Sequence, residues 1–118
     1  MPPPRAIIAP PPVDERVIKN MFGDDQNTFK EIMVSFTAPS QDIINAIDAA
    51  EKGRNLDEVS EAAHRLKSSA RTIGANDLAD TCVELEKAAK AGDWSNVDRL
   101  AARSRTQFAA VDAFVSVL

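Results

Sequence analysis

The chain has 118 residues and a formal net charge of −4, and 44% of its residues are hydrophobic while only 5% are aromatic. A chain of this length forms one domain with a sizeable core, and its aliphatic, tyrosine-free apolar content favours helices over a sheet. The acidic balance argues against a nucleic-acid-binding protein, which needs a broad basic face to neutralise phosphates. The expected fold class is therefore all-α.

The first 12 residues, MPPPRAIIAPPP, hold six of the seven prolines. Proline lacks a backbone donor and favours extended geometry, so we expect residues 1–12 to be a disordered tail or linker and residues 13–118 to be the folded domain. No apolar run is long enough to span a bilayer. The single cysteine, Cys82, cannot form an internal disulfide, and the sequence shows no charged segment followed by an apolar run of the kind expected for a signal peptide. We therefore expect a cytoplasmic protein with no membrane attachment of its own.

Each glycine follows a helical pattern and is followed closely by a residue that can cap the next helix. The predicted helices span about 13–22, 25–52, 56–73, 77–91 and 94–116. Short turns favour antiparallel neighbours, so the four long helices should form an antiparallel up-down-up-down four-helix bundle, with the short first helix packed over one end.

Local signals refine these helices. Pro39 should kink the second helix without ending it, because the apolar stripe resumes nearly in phase. Asn55, followed three residues later by Glu58, predicts a capping box at the start of the third helix, and Asp93 can cap the fifth. Cys82 lies on the apolar stripe of the fourth helix and is expected in the core.

The third helix carries the only histidine of the chain. Its apolar residues recur at spacings of 4, 3, 4 and 3 and predict the buried face: Val59, Ala63, Leu66, Ala70 and Ile73. His64 points about 140° away from the centre of this stripe. Lys67, Ser68 and Arg71 share its outward flank. The pattern therefore predicts an imidazole that faces water among cations and small hydroxyls.

An exposed imidazole keeps a substantial neutral fraction near neutral pH and can act as a nucleophile. Phosphoryl transfer suits it, because catalysis there consists mostly of positioning and charge neutralisation. Lys67, and further along the flank Arg71, are candidates to meet the phosphoryl oxygens. The side chains of Ser68 and Ser69 are small and do not obstruct the surface beside His64. Another protein could therefore bring an acidic site close to the ring.

The stretch HRLKSSARTIGA, continued by LADTCVELE, resembles the histidine-containing phosphotransfer (HPt) domains of bacterial multistep phosphorelays. The motif covers residues 62–86, and the helix order extends the resemblance over about 13–118. The positions that match the family motif are His64, Lys67, Ser68, Ser69 and Gly74. Serine at 68 is a common family alternative to glycine, and the proline-rich tail has no counterpart.

The resemblance implies a phosphorelay intermediate. His64 would accept a phosphoryl group from the aspartyl phosphate of a receiver domain and pass it to the aspartate of another receiver. The chain has neither a Gly-rich nucleotide loop nor the length for an ATP-binding domain, so we expect a phosphocarrier without kinase activity, either stand-alone or excised from a hybrid sensor histidine kinase. It would need no cofactor of its own, since the partner receiver supplies Mg²⁺. The expected partners are response-regulator receiver domains, a hybrid sensor histidine kinase, or both, and we expect a monomer.

A protein that docks over the reactive group is expected to contact apolar surface beside it. Ile18 lies off the core stripe of the first helix, and Met33 and Val34 lie off that of the second. We therefore predict these residues, with Arg65 next to the histidine, as contacts at the partner interface.

Alternatives lead to other functions. A phosphorylation-independent helical module could sequester a receiver or an effector, and a purely structural bundle is also possible. Glu61 and His64 form half of a di-metal motif, but such a site needs a second copy and inward-pointing ligands, so we predict no metal. The dimerisation domain of a histidine kinase usually has an acidic residue directly after the histidine and a proline soon after. Here Arg65 follows and no proline does, which argues against it.

Overall fold

The computed structural model describes residues 11–118, in which nearly every residue belongs to one of five helices. They are α1 (Glu15–Phe22), α2 (Gln26–Lys52), α3 (Leu56–Thr72), α4 (Asn76–Lys90) and α5 (Trp94–Ser116). The predicted number and order of the helices are confirmed, and each predicted boundary lies within two residues of the observed one. Of the predicted tail, residues 1–10 lie outside the described residues.

The four long helices form a closed ring in which α2 and α4 each pack against both α3 and α5. Turns of three residues join α2 to α3, α3 to α4 and α4 to α5, which makes sequence neighbours antiparallel. The predicted four-helix bundle is therefore confirmed. All four helices contribute to one hydrophobic core, in which Cys82 is fully buried.

The two halves of the bundle are packed differently. Aromatic rings fill the space between α2 and α5, where Phe36 and Phe108 have ring centroids 6.4 Å apart. Between α3 and α4 the buried side chains are mostly small, and they include Ala63, Ala70 and Cys82. Helices that meet through small residues approach closely, so exposed side chains at the edges of α3 and α4 can reach each other.

The caps of the long helices largely follow the sequence. The Asn55 side chain accepts a hydrogen bond from the Glu58 backbone N–H at 3.1 Å, and Asp93 accepts one from Asn96 at 3.2 Å. Only half of the predicted capping box is present, because the Asn55 N–H donates to the carbonyl of Ala50 at 2.9 Å. α2 continues through Pro39 from Gln26 to Lys52, so the prediction that proline would not end this helix is confirmed.

In the turn between α2 and α3, the glycine that follows the helix does not adopt the positive φ that is typical of a glycine at this position. Gly53 has φ −79°, and Arg54 instead takes the left-handed conformation at φ 54°. Side-chain contacts offset the strain, because the Arg54 guanidinium lies 4.4 Å from the centroid of the Trp94 ring and 3.0 Å from an Asp98 carboxylate oxygen.

α1 packs over the turn between α3 and α4. The Asp14 N–H donates to the Gly74 carbonyl at 2.8 Å, and Val13 and Ile18 are buried. The helix begins at Glu15 rather than at Val13 because the Asp14 side chain caps it. Within residues 11–118, no helix is both long and apolar enough to cross a membrane.

Candidate functional site

His64 lies in the middle of α3 on its solvent face, and 59% of its side chain is exposed. The opposite face of α3 is buried in the bundle. The prediction of an exposed imidazole, made from the spacing of the apolar residues, is confirmed.

Glu86 of α4 contacts the ring. Both of its carboxylate oxygens lie 3.4 Å from His64 Nδ1. The Glu86 side chain is only 15% exposed, so the carboxylate is largely shielded from solvent. Sequence reasoning missed this residue, although a signal was available. In an antiparallel pair, residues equidistant from the turn face each other, and His64 and Glu86 are each 11 positions from Ala75 (75 − 64 and 86 − 75).

Two lysines hold the carboxylate. Lys67 Nζ lies 3.4 Å from Glu86 Oε1, and Lys90 Nζ lies 3.1 Å from Oε2. Burial alone raises the pKa of Glu86, but hydrogen bonds from Lys90, His64 and Lys67 outweigh it and lower the pKa below its usual value. Glu86 is therefore a carboxylate at neutral pH. Lys67 is also less exposed than predicted, at 18%, because it lies against the surface to reach Glu86.

The carboxylate determines which ring nitrogen is free. An ionised carboxylate only accepts hydrogen bonds, so it selects the tautomer in which Nδ1 carries the proton. Nε2 then holds a lone pair in the plane of an exposed ring. The site presents one nucleophilic nitrogen to an approaching partner.

The predicted serines lie beside the histidine without touching its ring nitrogens. The exposed Ser68 hydroxyl donates to the His64 carbonyl at 3.4 Å, and Ser69 is half-buried. Arg71 is exposed and has no ion-pair partner within residues 11–118. The small side chain of Ser68 leaves the ring open on that flank, whereas roles for Arg71 and Ser69 stay predictions.

The surface around the ring is an open depression between α3 and α4 rather than a cleft. Its volume is about 480 Å³, and its lining includes His64 and the charged residues Asp57, Glu61, Arg65, Glu86 and Lys90. In the part of the chain that the structure describes, no group of three or more histidine, cysteine, aspartate or glutamate side chains could hold a metal ion. A site of this shape suits contact with another protein.

Two of the predicted interface contacts are wrong. Ile18 and Met33 are fully buried, so neither can present apolar surface to a partner. Ile18 faces the end of the bundle on which α1 sits. The core face of α2 runs through Phe29, Met33 and Phe36, while Ile32 is only partly buried.

Arg65 and Val34 are exposed, as their predicted role requires. Val34 nevertheless lies on the flank of α2 remote from the histidine. Seven residues along a helix return to nearly the same face, and Gln41, seven residues after Val34, lines a depression between α2 and α5. Arg65 lines the depression beside His64 and stays the better-placed contact.

A four-helix bundle that displays one histidine, oriented by a carboxylate and flanked by lysines, defines a histidine phosphotransfer class of protein. The family described as "Hpt domain" matches residues 31–114, which are 84 of the 118 residues (114 − 31 + 1) and include His64, Lys67 and Glu86. The chain therefore belongs to the Hpt domain family.

Solved structures share the fold. One is the histidine-containing phosphotransfer protein B (HptB) of Pseudomonas aeruginosa PAO1, with 23% identity, a TM-score of 0.82, and coverage of 92% of this chain and 94% of that one. Another is a rice protein assigned as a histidine-containing phosphotransfer protein, with 22% identity, a TM-score of 0.74, and coverage of 89% of this chain and 80% of that one. Among curated protein sequences, none matches this chain significantly.

Proposed function

We propose that this protein is a phosphorelay intermediate in which His64 Nε2 accepts a phosphoryl group from a receiver-domain aspartyl phosphate and passes it to another receiver aspartate. The observation that carries the proposal is the exposed ring whose Nδ1 is held by Glu86, because it leaves Nε2 as the nucleophile. Membership of the Hpt domain family supports the same role.

The neighbouring residues suit the transfer step. The transition state spreads negative charge over the equatorial oxygens of the phosphoryl group, and nearby cations stabilise it. Lys67 and Lys90 contact the Glu86 carboxylate beside the ring, which places two ammonium groups near the site of transfer. Ser68 leaves room for the receiver surface that carries the aspartate.

The proposal makes this protein a phosphocarrier with no kinase activity. Its partners are receiver domains, a hybrid sensor histidine kinase, or both, and the receiver brings the Mg²⁺ and the acidic pocket that the reaction uses. The shallow depression beside His64 supports a partner that docks as a folded surface, with Arg65 at the contact. A cytoplasmic monomer fits this role.

The test is transfer of label from a set of phosphorylated receiver domains carrying ³²P on their aspartates. We expect label to move to the protein, to be acid-labile as a phosphohistidine is, and to be absent from His64→Gln. Phosphoramidate, which phosphorylates accessible imidazoles directly, provides a donor that does not depend on finding the cognate receiver. Stable receiver binding that survives His64→Gln, with no label moved from any donor, would instead support the sequestering module.

A further inference from the structure

We infer that Glu86 sets how readily phosphorylated His64 releases its phosphoryl group, because the carboxylate holds a proton on Nδ1 of the leaving ring. This inference rests on the proposed function. It assigns Glu86 as a positioning residue whose negative charge matters in addition to its hydrogen bond.

The geometry places the carboxylate against the ring edge opposite the reactive nitrogen. Both oxygens of Glu86 lie 3.4 Å from Nδ1. The carboxylate is 15% exposed while the ring is 59% exposed, so the anion is partly shielded where it meets Nδ1 and Nε2 stays accessible. A charge in such a place is screened less by water and salt than one at the open surface.

The protonation of Nδ1 decides what leaves when the N–P bond breaks. With a proton on Nδ1, the bonding pair returns to Nε2 and the ring departs as neutral imidazole, while phosphorus forms a bond to an aspartate oxygen of the receiver. Charge balances, because a phosphoimidazolium of charge −1 and a carboxylate of charge −1 give neutral imidazole and an acyl phosphate of charge −2. Without that proton the ring would have to leave as an imidazolide anion, which is a far poorer leaving group.

Other charges near the ring come from both helices that flank it. Lys67 of α3 and Lys90 of α4 bind Glu86, so they keep it ionised and in place, although their own charges partly offset its effect on the ring. Asp57, Glu61 and Arg65 line the same depression. None of these three forms an ion pair with His64 in residues 11–118, which leaves Glu86 as the charged group in contact with Nδ1.

A glutamine at position 86 separates the two contributions of the residue. Its amide oxygen can accept the same hydrogen bond from Nδ1 and orient the ring. It carries no charge, so it loses the attraction that favours the cationic, phosphorylated ring. Glu86→Gln therefore keeps the orientation and removes the electrostatics.

The experiment phosphorylates the full chain with phosphoramidate, removes the reagent, and follows the ³¹P signal of phosphohistidine between about pH 6 and about pH 10. An opposite charge within hydrogen-bonding range shifts a protonation equilibrium by about 1 unit or more, and exposure of the ring reduces this. We expect the plot of phosphohistidine decay rate against pH to move toward lower pH by about half a unit to one unit in Glu86→Gln. Near pH 8.5 the phosphohistidine of this variant should then decay about three- to tenfold more slowly than that of the natural protein. The decay rates of the two proteins should converge toward the acid end of this range.

Glu84→Gln is the matched control. It removes one negative charge from the same helix, but Glu84 lies 3.9 Å from Arg103 of α5 and does not contact the ring. We expect it to decay like the natural protein. Circular dichroism and equal phosphoryl uptake verify that each variant is folded and reactive.

The outcomes separate the two proposals. If the natural protein takes up no phosphoryl group at His64, the proposed function fails. If it does, and Glu86→Gln has the same pH profile or decays faster throughout, the role of Glu86 is refuted while the proposed function stands. An equal slowing in Glu84→Gln would also refute it, because net charge alone would then account for the effect.

Discussion

Replacing Gly74 by alanine should disturb the protein at the point where α1 meets the bundle. Gly74 has φ +77°, and a Cβ there would lie 2.5 Å from the Asp14 carbonyl oxygen and 3.1 Å from Val17 Cγ2. Left-handed backbone costs a non-glycine residue about 1 kcal/mol or more. The clash is with backbone, so relief requires α1 to shift as a unit.

The size of the effect follows from what that shift loses. The hydrogen bond from the Asp14 N–H to the Gly74 carbonyl is worth about 1 kcal/mol. Partial exposure of the fully buried Ile18 costs up to about 2 kcal/mol. With the backbone strain, Gly74→Ala should lower the free energy of unfolding by about 2 to 4 kcal/mol, measured by urea denaturation.

Gly92→Ala is the matched control, because it introduces the backbone strain without the steric clash. Gly92 has φ +70°, but the nearest atom to its added Cβ is Leu56 Cδ1 at 3.9 Å, an ordinary contact. It should therefore cost only about 1 kcal/mol, the strain alone. If the two variants are destabilised equally, the close approach of α1 to Gly74 contributes nothing and the reasoning is refuted.

Three further predictions concern single side chains. Within residues 11–118 the buried Ser40 hydroxyl has no hydrogen-bond partner, so Ser40→Ala should raise the free energy of unfolding by about 1 kcal/mol, and a lower urea midpoint would contradict this. Burial raises the pKa of the Cys82 thiol to about 12, so a thiol reagent at about pH 8 should label the protein only after unfolding; rapid labelling of the folded protein would disprove it. Burial raises the pKa of Glu86, but the hydrogen bonds from Lys90, His64 and Lys67 outweigh it and lower this pKa below the ordinary value of 4.5. The ionised Glu86 side chain therefore contributes its full stabilisation above about pH 4.5, and this contribution is lost as the pH falls through the pKa of the folded state. The stability difference between the natural protein and Glu86→Gln should therefore narrow in acid, and a constant difference would exclude this linkage.

Helix boundaries could be predicted because their signals are local. Asn55 and Asp93 cap the helices that follow them, and three of the four glycines adopt positive φ. Gly53 does not, because Arg54 can accept the strained conformation while stacking on Trp94, a residue 40 positions later (94 − 54). A local rule cannot anticipate a compensation that comes from another helix.

The errors in the predicted interface have the same origin. Periodicity shows which face of a helix is apolar, but not how wide the buried part becomes once another helix packs against it. Met33 and Ile18 lie off the narrow apolar stripes of their helices, yet both are buried. Met21 and Phe22 are apolar residues of α1, yet they are 56% and 53% exposed. Because α1 is short, its position on the bundle, rather than its sequence pattern, decides which of its residues are covered.

An exposed imidazole alone does not specify a phosphoryl acceptor, since either ring nitrogen could react. The contact of Glu86 with Nδ1 distinguishes the two nitrogens. This contact depends on the register of α3 against α4, not on any residue near His64 in the sequence. That register is set at the turn, where the Ala75 N–H donates to the Ala70 carbonyl at 2.8 Å and Gly74 adopts positive φ. A change of one residue in the turn would rotate the carboxylate by about 100° around α4 and away from the ring. Gly74 therefore influences the surroundings of His64 from 10 residues away (74 − 64), because the turn that contains it brings the two helices into the register in which Glu86 contacts Nδ1.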